Sequence, residues 1–245
     1  MAKKRESPPI KRLHLSGGEK GGVGKSFTVR TLGQFFLDAH LPFRAVECDR
    51  SNPDFARIYG QIIDVQFAII SEGQQYEDDA NLIYNLALEG RVLANLPAQV
   101  MPSLKAWLNN LDLLSLAEED GVKFIHWFTV DGGYDSLSLL RKSLELFQNK
   151  PAWATVIVLN HGTGGDDFSG FFEDADLQAL IQDTQSPVIH LPRFQGASTR
   201  NRIDRESLTF GQALTHKGFT SIERQRVRKY LREAYALIEQ VKAWL

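Results

Sequence analysis

The chain has 245 residues, of which 43% are hydrophobic and 24% are charged, a composition typical of a globular protein and unlike that of collagen-like, disordered or disulfide-rich chains. Its length suits a single α/β domain. Cys48 is the only cysteine, the first ten residues lack the apolar segment of a secretory signal, and no apolar run reaches the ~20 residues that a membrane span needs. We therefore expect a cytoplasmic protein without a membrane association.

The formal net charge of −2 conceals an uneven distribution of charge along the chain. Residues 1–30 carry eight basic and two acidic side chains, residues 31–192 carry nine and 23, and residues 193–232 carry ten and three. The basic C-terminal segment is compatible with a nucleic-acid partner and, equally, with a solvated basic face.

After a basic tail at residues 1–9, predicted to be flexible, short apolar strands alternate with amphipathic helices. The predicted strands lie around Leu13 and at 43–48, 92–94, 122–130 and 154–159. The predicted helices start at Ser26, cover 78–90, 104–114 and 137–147, and end the chain from about Ser221, while residues 54–75 show no clear pattern. This alternation predicts one doubly wound, mainly parallel sheet with helices on both faces, formed by residues 10–245.

A glycine-rich string joins the first predicted strand to the first predicted helix, and it reads Gly17-Gly18-Glu19-Lys20-Gly21-Gly22-Val23-Gly24-Lys25-Ser26. Glycines at such a place let successive N–H groups turn towards one anion at the N-terminal end of a helix. In a phosphate-binding loop of this spacing, Lys25 contacts the β- and γ-phosphates and the Ser26 hydroxyl ligates Mg²⁺. Glu19 departs from the general pattern, because it occupies the first glycine position.

The core of this string, Lys20-Gly21-Gly22-Val23-Gly24-Lys25-Ser26, resembles the deviant Walker A motif of the ParA/MinD group of P-loop ATPases. The resemblance implies a P-loop NTPase fold, ATP and Mg²⁺ as cofactors, and a homodimer that forms on ATP binding, with Lys20 reaching into the partner's nucleotide site. It implies catalytic roles for Lys20, Lys25 and Asp49. The loop residues expected to bind the nucleotide are Gly21, Gly22, Val23, Gly24, Lys25, Ser26 and Phe27.

Acidic residues close the second predicted strand, where Glu47 and Asp49 flank Cys48. Ligands bind at this edge in open α/β sheets. The segment is similar to switch I of the ParA/MinD group, which implies that Asp49 orients the attacking water and helps to place Mg²⁺. A role in a turn or a helix cap is the alternative for Asp49.

Switch II of the group begins with an aspartate that holds a Mg²⁺-bound water, and this sequence departs from that pattern. The best match is Asn95-Leu96-Pro97-Ala98-Gln99, in which an uncharged amide replaces the acid. Asp131, at the end of the next strand, is the alternative acid. The order of strands favours Asn95, which would contact the metal through water.

Two later positions match the part of the group that flanks the adenine base. They are Asn160, which follows strand 154–159, and Pro192 in Leu191-Pro192-Arg193. Local turn bonds are the alternative for Asn160. The segments 95–98, 121–133 and 207–213 resemble the TraL and MobD type, plasmid-borne relatives associated with conjugation and mobilisation, and this resemblance implies a plasmid-encoded protein partner.

We interpret the sequence as a weak, Mg²⁺-dependent ATPase that dimerises on ATP and acts in plasmid partition, mobilisation or the positioning of a DNA-processing cargo. A small-molecule kinase or ligase on the same scaffold, and a nucleotide-bound scaffold with little turnover, are the alternatives. Arg224, Arg228 and Arg232 recur every four residues, so they share one helix face and predict non-specific DNA binding.

Overall fold

The protein is built on one sheet of seven parallel strands in a computed structural model that describes residues 10–71, 73, 78–163 and 166–245. The strands are β1 (Arg12–Gly17), β2 (Arg44–Glu47), β3 (Val65–Phe67), β4 (Val92–Asn95), β5 (Lys123–Val130), β6 (Trp153–Asn160) and β7 (Val188–Leu191). Their order across the sheet is β3-β2-β4-β1-β5-β6-β7, and all neighbouring pairs are parallel. The prediction of a doubly wound, mainly parallel sheet is confirmed.

Eleven α-helices lie among the described residues. They are α1 (Lys25–Asp38), α2 (Asp54–Tyr59), α3 (Asn81–Leu88), α4 (Met101–Asn110), α5 (Leu113–Asp120), α6 (Tyr134–Phe147), α7 (Ser169–Glu173), α8 (Ala175–Asp183), α9 (Ala197–Arg205), α10 (Phe210–Thr215) and α11 (Ser221–Gln240). A 3₁₀ turn at Lys242–Trp244 follows. Among the described residues no helix combines the length and the apolar character needed to cross a bilayer. The predicted tail at residues 1–9 lies outside the described residues.

Both faces of the sheet are covered by helices, so the central strands are buried on both sides. On one face α1, α2, α10 and α11 enclose a core that includes Phe36, Trp127 and Tyr230. On the other face α3, α4 and α5 cover one core cluster, and α6, α7 and α8 cover another. The sheet is thereby enclosed between two layers of helices.

The single helix predicted over 104–114 is wrong, because the structure has two helices, α4 and α5, separated by a break. Asp112 adopts the left-handed region at φ 44°, and Leu111, predicted on the buried face, is 49% exposed. Leucine spacing continues through the break, so the hydrophobic period alone does not reveal it. The segment 54–75, left without a prediction, supplies the short helix α2 and the edge strand β3.

Candidate nucleotide site

The candidate site residues meet at the C-terminal edge of the sheet. The glycine-rich loop follows β1, the central strand, and leads directly into α1. The segments after β2 and β4 lie on one side of this loop, and those after β5 and β6 lie on the other. Ligands of open α/β sheets bind at this edge, and the structure brings the sequence-predicted residues to it.

The loop backbone requires glycine at two points where other atoms approach closely. Gly24 has φ +94°, and a Cβ placed there would lie 2.0 Å from Asn160 Nδ2. Gly18 has φ +155°, and its Cβ would lie 2.6 Å from the Thr129 carbonyl oxygen. By contrast, a Cβ on Gly21 or Gly22 would meet no atom within 4 Å. The loop is thus pressed against the sheet at both ends and open along its middle, which is the form of an anion cradle.

Lys25 lies across the inside of the loop. Its side chain is buried, and its Nζ donates to the Lys20 carbonyl oxygen at 3.1 Å. Burial lowers the pKa of Lys25, while the charges of Asp49 and Glu19 oppose this shift. The ammonium group therefore sits where it neutralises negative charge brought into the loop.

The next two residues of α1 differ in what they offer to a ligand. Ser26 is half-buried and lies in the first turn of α1. The ring of Phe27 instead packs into the core, with its centroid 5.4 Å from that of Phe210 and 5.2 Å from that of Tyr230. The backbone N–H of Phe27 donates to the Gly24 carbonyl oxygen at 3.0 Å. Phe27 thus anchors the start of α1, and its predicted nucleotide contact stays a prediction.

Glu47 and Asn95 form a buried pair between the ends of β2 and β4. Asn95 Nδ2 donates to Glu47 Oε1 at 2.7 Å, and both side chains are 1% exposed. Glu47 also accepts from the N–H groups of Asp49 and Ala56. Burial raises the pKa of Glu47, against the effect of these hydrogen bonds. Asn95 Oδ1 is buried and has no hydrogen-bond partner among the described residues, so one acceptor remains available at this position.

Asp49 shapes the turn that follows β2. Its Oδ1 accepts from the N–H groups of Ser51 and Asn52, both at 3.0 Å, which is the geometry of an Asx turn. The turn role considered from the sequence is therefore present, and the second carboxylate oxygen is outside these bonds. The preceding residue, Cys48, is buried, and burial raises the pKa of its thiol.

Lys20 and Asp131 form an ion pair across the mouth of the loop, with Nζ and Oδ2 2.9 Å apart. Hydrogen bonds from Ser136 and the Gly133 N–H also hold Asp131. Burial raises the pKa of Asp131, but the hydrogen bonds and the Lys20 charge outweigh it, so the pKa falls below its usual range. The structure thus places Asp131 with Lys20, and Asn95 with Glu47, on opposite sides of the loop.

Glu19 caps the helix that follows the Asn95 segment. Both carboxylate oxygens accept from the Met101 N–H, at 3.1 and 3.2 Å, and the Glu19 carbonyl oxygen accepts from the Gln99 N–H. A carboxylate is stabilising at the N-terminal end of a helix. Sequence reasoning singled out Glu19 as a departure from the loop pattern and missed this role, which joins the loop to α4.

Asn160, at the end of β6, holds the glycine-rich loop near its C-terminal end. Its Nδ2 donates to the Val23 carbonyl oxygen at 2.7 Å, and its Oδ1 accepts from the Gly162 N–H at 2.9 Å. The side chain is 1% exposed, so the turn bonds considered from the sequence are present. Pro192, half-buried, follows the end of β7 on the same edge. Adenine contact by Asn160 and Pro192 stays a prediction.

The three arginines of α11 are not equivalent. Arg228 and Arg232 are exposed, whereas Arg224 is half-buried and donates to the carbonyl oxygens of His216 and Phe219. Arg224 therefore stabilises the start of α11, and the exposed basic face predicted there consists of two of the three side chains.

The residues at the loop fit a nucleoside triphosphate with Mg²⁺. The glycine cradle and Lys25 suit phosphate, and the Ser26 hydroxyl, the outer oxygen of Asp49 and the orphaned Asn95 Oδ1 are the oxygen donors that Mg²⁺ prefers. Within the described ranges no group of three or more His, Cys, Asp or Glu side chains forms a metal site.

No family model matches the chain. A curated relative, protein MobD of Acidithiobacillus ferrooxidans, is 26% identical over 157 residues, which cover 64% of this chain and 66% of MobD, just under two thirds of its length. The structure of the MinC:MinD cell division protein complex of Aquifex aeolicus matches with a TM-score of 0.51 at 11% identity, over 90% of this chain and 94% of that one.

The Pyrococcus furiosus cell division ATPase MinD matches with a TM-score of 0.50 at 15% identity, over 95% of this chain and all of that one. The chain has the MinD fold. The resemblance to the ParA/MinD group is thus confirmed at the level of the fold, and the likeness to MobD supports the predicted subgroup.

Proposed function

We propose that the chain is a nucleotide-dependent switch that binds ATP with Mg²⁺, dimerises in the ATP form and hydrolyses ATP weakly. The observation that carries this proposal is the loop itself, which is held against the sheet at Gly18 and Gly24, is open between them, and has Lys25 lying across it. A fold of this kind hosts several chemistries, so the proposal rests on these residues rather than on the fold.

Within the proposed site each residue has a separate task. Lys25 and the loop N–H groups bind the phosphates, and Asp49 uses its outer carboxylate oxygen to orient water for in-line attack. Mg²⁺ bound with the nucleotide supplies charge neutralisation at the transferred phosphoryl group. Ser26 would hold it directly and Asn95 through a water. Asn95 brings no charge, so we expect slow hydrolysis.

Lys20 is the residue proposed to act across the dimer. Its ion pair with Asp131 holds the ammonium group at the open side of the loop, with the Lys20 side chain 35% exposed. Because water reaches the ammonium group, it can leave Asp131 for a stronger partner. A phosphate group in a second subunit is such a partner, since charge-assisted bonds to phosphate are stronger than average.

Light scattering with a slowly hydrolysed ATP analogue tests this proposal. We expect a dimer with the analogue and a monomer with ADP. Lys25→Ala should lose the nucleotide, whereas Lys20→Ala should keep it and lose the dimer. Lys229→Ala, which removes an exposed lysine of α11, is the matched control and should change neither property. A monomer at saturating analogue contradicts the dimer proposal and leaves nucleotide binding to be judged separately.

A nucleotide-bound scaffold with little turnover is the second candidate, and the Glu47 and Asn95 pair favours it. The only carboxylate that contacts Asn95 among the described residues is already bonded to two N–H groups and to Asn95 itself. The distinguishing measurement is phosphate release at saturating ATP. Release that stays at the level of the Lys25→Ala variant supports the scaffold.

For the biological setting we propose plasmid mobilisation or partition, with a plasmid-encoded protein as partner, supported by the likeness to MobD. Direct, non-specific DNA binding is proposed through Arg228 and Arg232, with Arg224 in a supporting structural role. Binding of a random duplex with the ATP analogue should weaken steeply as salt rises. Arg228→Ala/Arg232→Ala should abolish it, and an unchanged affinity in that variant removes DNA contact from this surface.

A further inference from the structure

Two histidine rings face each other at the edge strand β7. His161 directly follows β6, and His190 is the third residue of β7. His161 Nε2 and His190 Nδ1 lie 3.1 Å apart. The backbone N–H of His161 also donates to the Leu191 carbonyl oxygen at 3.1 Å. The contact between the rings is thus supported by a backbone bond between the same two segments.

A carboxylate orients the first of the two rings. Asp166 Oδ1 lies 3.0 Å from His161 Nδ1, where a carboxylate accepts the ring proton and leaves Nε2 as the nitrogen with the lone pair. In the neutral pair His190 Nδ1 therefore donates to His161 Nε2. A histidine whose far nitrogen donates to a carboxylate is the usual arrangement of a metal-binding imidazole.

Two phenylalanine rings pack on the histidine pair. The centroid of the Phe168 ring lies 4.8 Å from that of His161. On α7 the Phe172 ring is stacked on His190, with centroids 6.0 Å apart and planes at 9°. Both imidazoles are thereby held in place before any ligand arrives, which reduces the entropy lost on binding.

The separation of the two facing nitrogens matches that of neighbouring ligands on a metal ion. Two imidazole nitrogens that bind one Zn²⁺ at about 2.0–2.1 Å lie roughly 3.3–3.4 Å apart in a tetrahedral site and roughly 2.8–3.0 Å apart at a right angle. The observed 3.1 Å lies between these values. A small rotation of the His190 ring is therefore enough to direct both nitrogens to one ion.

The surroundings of the pair are accessible and acidic. His190 is exposed, and the His161 side chain is 24% exposed, so an ion reaches the facing nitrogens from solvent. Residues 166–176 contain five carboxylates and no lysine or arginine. One of them, Asp174, pairs with Arg141, and the other four are exposed. Such a charge distribution attracts cations.

We propose that His161 Nε2 and His190 Nδ1 together bind one divalent transition-metal ion of the kind that prefers imidazole, such as Zn²⁺. The proton on His190 Nδ1 moves to Nε2 of the same ring through solvent, so both facing nitrogens present lone pairs to the ion. The protein supplies two ligands, Asp166 orients His161 without touching the ion, and waters complete the coordination. The site uses no residue of the glycine-rich loop, so it does not depend on the proposed nucleotide chemistry.

Calorimetric titration of the full chain with zinc chloride at pH 7.5 tests the proposal, without nucleotide and in excess Mg²⁺ so that oxygen ligands are occupied. We expect saturable binding of one ion per chain. His190→Ala should weaken it about tenfold or more, and Asp166→Ala about tenfold through loss of the orienting carboxylate. The matched control is His216→Ala, which removes a histidine that also lies near a carboxylate, Glu206, and it should bind zinc as the unaltered chain does. Equal affinity in the His190 and His216 variants overturns the proposal.

A second measurement uses the unaltered chain, so it does not depend on the folding of any variant. In nitrogen-15 NMR spectra of the imidazole rings, zinc should shift the resonances of His161 Nε2 and His190 Nδ1 together, with saturation at one ion per chain. The resonances of His216 should stay in place. A shift in only one ring of the pair, or equal shifts in the pair and in His216, overturns the two-ligand site.

Discussion

Replacing Asn95 with aspartate places a second carboxylate beside Glu47. The new oxygen takes the position of Nδ2, 2.7 Å from Glu47 Oε1. Two unit charges at that separation repel by about 6 kcal/mol at an effective dielectric constant of about 20, and the buried pair avoids this cost by binding a proton. Asn95→Asp therefore converts a hydrogen bond into a site that holds a proton only in the folded protein.

The sign of the effect on stability follows from that proton. In the folded variant the pair has a raised pKa, whereas in the unfolded chain both acids titrate near pH 4. The folded state therefore binds more protons above pH 4, and the free energy of unfolding falls by roughly 1.4 kcal/mol per pH unit while that proton remains bound. Asn95→Asp should be close to the wild type at pH 4.5 and several kcal/mol less stable at pH 7.

Urea unfolding of the protein without nucleotide, at both pH values, measures this. The double variant Glu47→Gln/Asn95→Asp carries one carboxylate instead of two, so it should recover most of the stability that Asn95→Asp loses at pH 7. Glu47→Gln alone is the control for the weakened hydrogen bonds to the Asp49 and Ala56 N–H groups. Parallel pH dependence in Asn95→Asp and the wild type would refute the pairing. The same logic predicts faster Mg²⁺-dependent turnover in the double variant and no gain in Asn95→Asp alone.

Three further substitutions have defined outcomes. Asp131→Asn releases Lys20 and should favour the ATP-dependent dimer in light scattering. The pKa of Asp131 is lowered in the folded protein, so the wild type should lose more stability than this variant when the pH falls from 5 to 2. Urea unfolding measures this difference. Gly24→Ala should lower stability by at least about 2 kcal/mol, since its Cβ overlaps the amide at the end of β6, whereas Gly21→Ala should melt like the wild type. Glu19→Ala should cost about 1 kcal/mol through loss of the α4 cap, and Glu19→Gln, which keeps an acceptor oxygen, should recover part of it in the same unfolding assay.

The central part of the fold could be predicted from the sequence because each strand there is buried on both faces. Strands β5 and β6 are mostly apolar and are buried along nearly their whole length, and the glycine spacing of the loop after β1 is specific to phosphate-binding loops. The periphery could not be predicted, because short elements such as α7 and β3 have too few residues to show a period. Their conformation depends on tertiary contacts.

The sequence predicted which residues belong to the candidate site better than it predicted which of them are in contact. Lys20 and Asp131 are 111 residues apart, and Glu47 and Asn95 are 48 apart. Each pair depends on which strands are neighbours, and β4 lies between β2 and β1 although it follows both in sequence. Periodicity reveals strands but not their order, so it placed these residues at one edge without showing which of them touch.

Cys48 makes the end of β2 observable without any engineered label. The chain has a single cysteine, its thiol is buried between Glu47 and Asp49, and burial raises its pKa, so thiol reagents react only with molecules in which this segment has opened. The labelling rate of the unaltered protein therefore reports the equilibrium between closed and open forms of the Asp49 turn. A ligand that orders this turn should slow the labelling reaction in proportion to the open population that it removes, so the native thiol measures how far any ligand closes this segment.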